Sequence, residues 1–210
     1  MAACQPELLV PAHGLPIGGG VRIATVLDTV AGVLENLVDD VLEAMNSGAV
    51  LADIVSSVEV EERVLALPYL RPVYDEPEFV IRNIWRLYGG WWDGDPASLK
   101  PPGRNELAAA IADLAGGADA VADRAADSAA AGDLRLACQL IEYAVTADPT
   151  SNRNHEVRDV IYTQRRKVEK SLMAKGIYGA TAAESELVHR GEATVKPTRI
   201  SLGEPDVESD

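Results

Sequence analysis

The sequence predicts a mostly α-helical fold, with helix pairs like those of tetratricopeptide repeats and one short N-terminal strand. Three observations carry this. Ile23, Leu27, Val30, Leu34, Leu37, Val41 and Met45 recur at steps of three and four, the spacing of a single helical stripe. From Asn105 onward the chain is rich in alanine and divided by glycine and proline into helix-length pieces. Strand-like wording is confined to "ELLVPA" at residues 7–12, and a lone strand builds no sheet by itself.

The elements follow in order. Residues 1–20 read as a strand end and a glycine-rich loop, with His13 between the apolar run and Gly18–Gly20. A helix over 21–46 comes next. Asp28, Glu35, Asp39, Asp40 and Glu43 fill its polar side, while Val26, Val33 and Val38 widen the apolar one, as in a helix that packs on two partners. Gly48 suits the left-handed residue that ends it. Residues 50–57 form a short helix, and Pro68, Pro72 and Pro77 then constrain an irregular segment. A helix over Glu76–Leu87 tolerates Pro77 in its first turn.

All three tryptophans fall within residues 85–92, which marks one buried aromatic cluster or one interface. Trp85 shares a helical face with Ile81 and Tyr88, so it is expected in the core. Two glycines precede Trp91 and are expected to swing its ring back onto the helix; Trp92 points outward or into an interface. Helices are then expected over 105–115, 118–131, 134–147 and 153–174. The turn at Gly132 is followed by Leu136, Ala137, Leu140, Ile141 and Ala144, and such small residues let two helices approach closely in a repeat-like pair. The expected domains are 1–20, a helical domain over 21–185, and a disordered acidic tail over 186–210 ending "GEPDVESD".

The chain has 210 residues and a formal charge of −14, which disfavours nucleic acid and anionic membranes. It holds no apolar run of about 20 residues and no basic-then-apolar leader, so a cytoplasmic location is expected. Against the acidic trend stand Arg153, Arg158, Arg165, Arg166, Lys167, Lys170 and Lys175, either a solvated helix face or a docking surface for an acidic partner. Cys4 and Cys138 make no disulfide framework, and Cys138 fits a small core residue. His13, His155 and His189 show no paired spacing for an autonomous zinc site. No P-loop, GxGxxG or GxSxG occurs. Asp93 and Asp95 lack the rest of a calcium loop and are expected to cap helices and turns.

"PYLRPVYDEPEFVIRNIWRLYGGWWDGDPASLKP" at 68–101 resembles the dimerisation domain of alkyl sulfatases in the metallo-β-lactamase superfamily. The motif residues are Tyr74, then Tyr88, Gly90, Trp91, Trp92, Asp93, Gly94, Asp95 and Pro96. The resemblance continues through "IADLAGG" and "VEKSLMAKGIYGAT" and spans roughly residues 8–185. It implies that "PAHGLP" is similar to the motif closing the hydrolase domain, with His13 as the last zinc ligand. The family's HxHxDH motif does not occur in this sequence, and a catalytic zinc needs about three protein ligands. Zinc is therefore expected in the complete family enzyme and not on this chain alone.

The resemblance further implies Tyr74 near the sulfate head, with Arg82 as a weaker candidate; the plainer reading of Tyr74 is a buried tyrosine with a bonded hydroxyl. Trp85, Trp91, Trp92, Gly90 and Asp93 are expected to be structural. The implied function is a non-catalytic, homodimeric dimerisation or scaffold fragment of a sulfuric ester hydrolase. Two alternatives stand beside it. One is half of a split sulfatase completed by a separate metallo-β-lactamase-domain chain; the other is a gene remnant with no function of its own.

Overall fold

The computed structural model describes residues 2–12 and 14–192. His13 and positions 193–210, most of the expected tail, lie outside the described residues. The described chain is mostly helical. It divides into two compact units, Met1–Gly103 with Arg166–Ile177, and Arg104–Arg165 with the residues from Tyr178 onward. The chain returns to the first unit for one short segment, Arg166–Ile177.

The first unit opens with a 3-10 turn, Ala2–Cys4, and a hairpin of β1 (Leu8–Leu9) and β2 (Ile17–Gly18). The strands are antiparallel, with Leu8 opposite Gly18 and Leu9 opposite Ile17, so the expected lone strand has a partner. The hairpin lies against α1 (Gly20–Asn46). Then come α2 (Leu51–Ser57), α3 (Glu62–Leu65), α4 (Pro77–Gly89) and α5 (Pro96–Leu99). Helices α3 and α5 have four residues each, too few to show a periodic pattern in sequence. The core gathers Leu37, Val41, Ile54, Ile81, Ile84 and Trp85. The stripe of α1 is buried at Ile23 and Val26 and again at Leu37 and Val41, but at no residue between. Leu34, inside that gap, is 45% exposed.

The second unit contains α6 (Arg104–Ala115), α7 (Ala118–Ala130), α8 (Leu134–Ala147) and most of α9 (Asn152–Val168) and α10 (Leu172–His189). Helices α7 and α8 form the expected pair, with Val121, Ala122 and Ala125 packed against Ala137, Ile141 and Ala144. Cys138 is half-buried beside them. Gly132, at φ 88°, makes the turn, and the Asp133 carboxylate caps α8 by accepting from Leu136 N at 3.1 Å.

Two expected boundaries move. The helix expected over 153–174 is broken after Val168, because the Ser171 hydroxyl accepts from Ala174 N at 3.2 Å and starts a new helix. Of the tail expected over 186–210, residues 186–189 belong to α10, and Arg190 N donates to Glu186 O at 3.1 Å; positions 193–210 lie outside the described residues.

Candidate functional site

The proline-constrained turn before α4 is held by the start of α10, both in the first unit. Leu172 N donates to Val73 O at 2.9 Å. The fully buried Ser171 donates its hydroxyl to Tyr74 O. One serine thus starts α10 and fixes the backbone beneath Tyr74. The two segments line an open apolar groove of about 380 Å³, formed by Tyr74, Leu172, Met173, Gly176 and Ile177. Tyr74 is 39% exposed and Leu172 63%. A fully buried structural tyrosine is thus excluded at position 74.

Arg82 is exposed on α4 and is not among the lining residues, so the two substrate-binding candidates do not share this groove. The α10 wall escaped sequence reading. Its signal was present in Leu172, Met173, Gly176 and Ile177, an apolar helical face interrupted by one glycine.

The tryptophan loop is built by hydrogen bonds. Trp85 is 8% exposed in the core, and its indole Nε1 donates to Trp92 O at 2.8 Å. Trp92 Nε1 donates to Asp95 O at 3.0 Å. Asp93 Oδ1 accepts from the Ser98 hydroxyl and from Asp95 N, and these bonds, the serine first, hold its carboxyl below the usual range. Asp95 caps α5 by accepting from Ala97 N at 2.9 Å. Both carboxylates therefore organise the turn, as expected. Gly94 sits at φ 89°, where a side chain would press on Val50 and the Trp85 ring.

The expected position of Trp91 is corrected: the residue is 81% exposed, and Tyr88 is exposed too. The Trp85 indole and the loop backbone close the core between them. Gly90, at φ 86°, turns the chain so that the next side chain projects outward. Trp92 is partly exposed.

The second unit holds a polar cluster. Arg158 donates from Nε to Glu142 at 2.6 Å, and from Nη1 to Glu184 at 2.8 Å and to the Ser185 hydroxyl at 2.9 Å. Arg104 also reaches Glu142, at 2.7 Å. His155 Nε2 lies 3.2 Å from Pro149 O and Nδ1 lies 3.1 Å from the Ser185 hydroxyl. A carbonyl only accepts, so Nε2 carries the proton and Nδ1 accepts from Ser185. A serine bonded to a histidine is the pairing of a nucleophile with its base. Ser185 is fully buried, however, and no substrate reaches it. Burial holds the His155 imidazole below its usual pKa and pushes the Tyr162 phenol up.

Among the described residues, no group of three or more His, Cys, Asp or Glu side chains is placed to hold a metal ion. They do not fit a zinc centre, and His13 lies outside them. No described helix is long and apolar enough to cross a membrane.

The family model for alkyl sulfatase dimerisation matches residues 50–187. A linear primary-alkylsulfatase of Pseudomonas sp. (strain ATCC 19151) is 26% identical over 95% of this chain and 38% of its own length. An (R)-specific secondary-alkylsulfatase of Pseudomonas sp. is 32% identical over 70% of this chain and 22% of its own. The solved structure of the stereoselective inverting sec-alkylsulfatase Pisa1 from Pseudomonas sp. superposes with a TM-score of 0.78 at 26% identity. It covers 94% of this chain and 30% of Pisa1. The chain thus spans well under half the length of each of these relatives.

Proposed function

Because the chain belongs to the alkyl sulfatase dimerisation family, we propose that it is a non-catalytic assembly module that pairs with a second copy of itself. The observation that carries this reading is the half-covered middle of α1, where Leu27 and Val30 are half-buried and Leu34 is exposed. Ten residues, 27–36, rise about 15 Å without one being buried, although Leu27, Val30 and Leu34 continue the stripe that is buried on both sides of them. Apolar helix surface of this kind is stabilised by a partner.

A second reading is half of a zinc-dependent alkyl sulfatase, with a separate metallo-β-lactamase-domain chain supplying most of the ligands. Tyr74 favours it, since its partly exposed ring lines a groove of the apolar character that suits an alkyl chain. In that reading Tyr74 and Arg82 approach the sulfate head, and His13 contributes one zinc ligand. A gene remnant without independent function is the reading that remains if neither holds.

Zinc and activity measurements on the purified chain test the non-catalytic part of the first reading. The assembly reading expects no hydrolysis of dodecyl sulfate with or without added zinc, and no stoichiometric zinc by elemental analysis. Zinc retained at one equivalent and lost in His13→Ala, with ester cleavage, would overturn it.

A further inference from the structure

The basic stretch from Arg153 to Lys175 divides into two parts. In the second unit, Arg153 pairs with Asp123, and Arg158 is taken up by Glu142 and Glu184. Arg166, Lys167, Lys170 and Lys175 belong to the first unit. The first three are exposed and Lys175 is half-buried, and among the described residues none of the four forms an ion pair. The one carboxylate of the segment, Glu169, is half-buried and engaged in a contact of its own.

Apolar side chains stand among these cations. Val168, Leu172, Met173 and Ile177 are all exposed. They do not belong to a frayed end. Ser171 and Ala174 are buried and fix the segment from within, and the Ser171 hydroxyl is bonded to Tyr74 O. On α10, Lys175 follows Leu172 by three residues, so the two are neighbours on the helix surface. A short segment anchored on one side, with cations and aliphatic tips on the other, suits a surface that is both anionic and apolar. The headgroup layer of an anionic bilayer is such a surface.

A protein partner fits this segment less well. Three of the four cations are lysines, a residue depleted at protein interfaces, and the exposed apolar residues are not the aromatic anchors enriched there. The whole chain, at a charge of −14, is repelled by an anionic surface. That repulsion is screened over about 8 Å at physiological ionic strength. At contact the local cations therefore decide, and the remaining charge favours the orientation in which the basic segment leads.

We propose that the segment Arg166–Ile177 docks the chain on an anionic lipid surface. Arg166, Lys167, Lys170 and Lys175 lie among the headgroups, and Leu172 and Ile177 reach the boundary between headgroups and acyl chains. The long stem of the half-buried Lys175 lets its ammonium extend to the headgroups while Leu172 beside it goes deeper. The contact is peripheral, as no described helix is long and apolar enough to cross a membrane. It stands apart from the pairing of two copies, and either can fail alone.

The test is flotation of the full chain with vesicles of phosphatidylcholine containing about 30% phosphatidylserine, against phosphatidylcholine alone, at about 0.1 M salt. The parent is expected to float with the anionic vesicles, not with the neutral ones, and to be released at about 0.5 M salt. Lys167→Gln/Lys170→Gln is expected to bind about thirtyfold more weakly, roughly fivefold for each cation withdrawn. Leu172→Ser reads the apolar part and is expected to bind about tenfold more weakly. Arg22→Gln/Lys100→Gln removes the same charge at exposed positions elsewhere in the first unit and is expected to float as the parent does. All these positions are exposed, so thermal unfolding is expected to stay unchanged. A parent that does not float, or that floats equally with neutral vesicles, overturns the proposal. So does parental binding by either the lysine pair or Leu172→Ser, or an equal loss in Arg22→Gln/Lys100→Gln. Retention of the parent on immobilised polyglutamate without flotation identifies an acidic protein as the occupant and overturns it too.

Discussion

Trp85 and Trp91 stand six residues apart and play opposite parts. The Trp85 ring is enclosed by the α1–α2–α4 core, and its Nε1 bonds to the loop that follows. The Trp91 ring stands in solvent on a turn whose backbone is fixed by other bonds. Trp85→Ala should therefore cost about 3–5 kcal/mol, the usual loss for a buried tryptophan. Trp91→Ala should stay within about 0.5 kcal/mol, as surface changes do. Urea melts of the two variants check both figures, and equal losses would mean that Trp91 is buried after all. The sequence made Trp85 legible, because helical spacing places it beside Ile81. It did not do so for Trp91. Two glycines announce a sharp turn, but the direction in which the next side chain leaves depends on φ at Gly90 and on the bond from Trp85 to Trp92 O, neither of which is written in spacing.

Long elements with periodic apolar residues were legible in sequence, as α1, α4, α7 and α8 show. What escaped was the break between α9 and α10, where Ser171 has two roles, capping α10 and holding Tyr74 O. A serine amid lysines carries no periodic signal, so the groove it helps to form could not be read either. His155 illustrates a tie between elements that depends on protonation. It joins α9 to the Pro149 turn and to Ser185 on α10. Its folded pKa is lowered, chiefly by burial, so the unfolded chain binds the proton more readily. The stability it contributes is full above the unfolded value of about 6.5 and is lost as the pH falls through the folded one. The parent's urea midpoint should therefore drop more between pH 7.5 and 5.5 than that of His155→Gln. Identical drops would show that the imidazole does not charge at a cost in this fold.

At the scale of the molecule, the family and the helical fold were legible from the 85–96 motif and from α1, whereas the division into two units was not. The return of Arg166–Ile177 to the first unit is a long-range pairing, set by Leu172 N on Val73 O and Ser171 on Tyr74 O. That return also brings the basic segment into the unit that carries the acidic face of α1. Assembly of two copies is the central claim, and it rests on apolar surface that the single chain leaves only partly covered in the middle of its longest described helix. Sedimentation equilibrium of the full chain, across protein concentrations of about 1–100 μM where specific dimers form, tests it most directly. The account predicts a fitted mass of twice 22.4 kDa, giving way to the single mass only on dilution or at high salt. A single mass of 22.4 kDa at every concentration would contradict it.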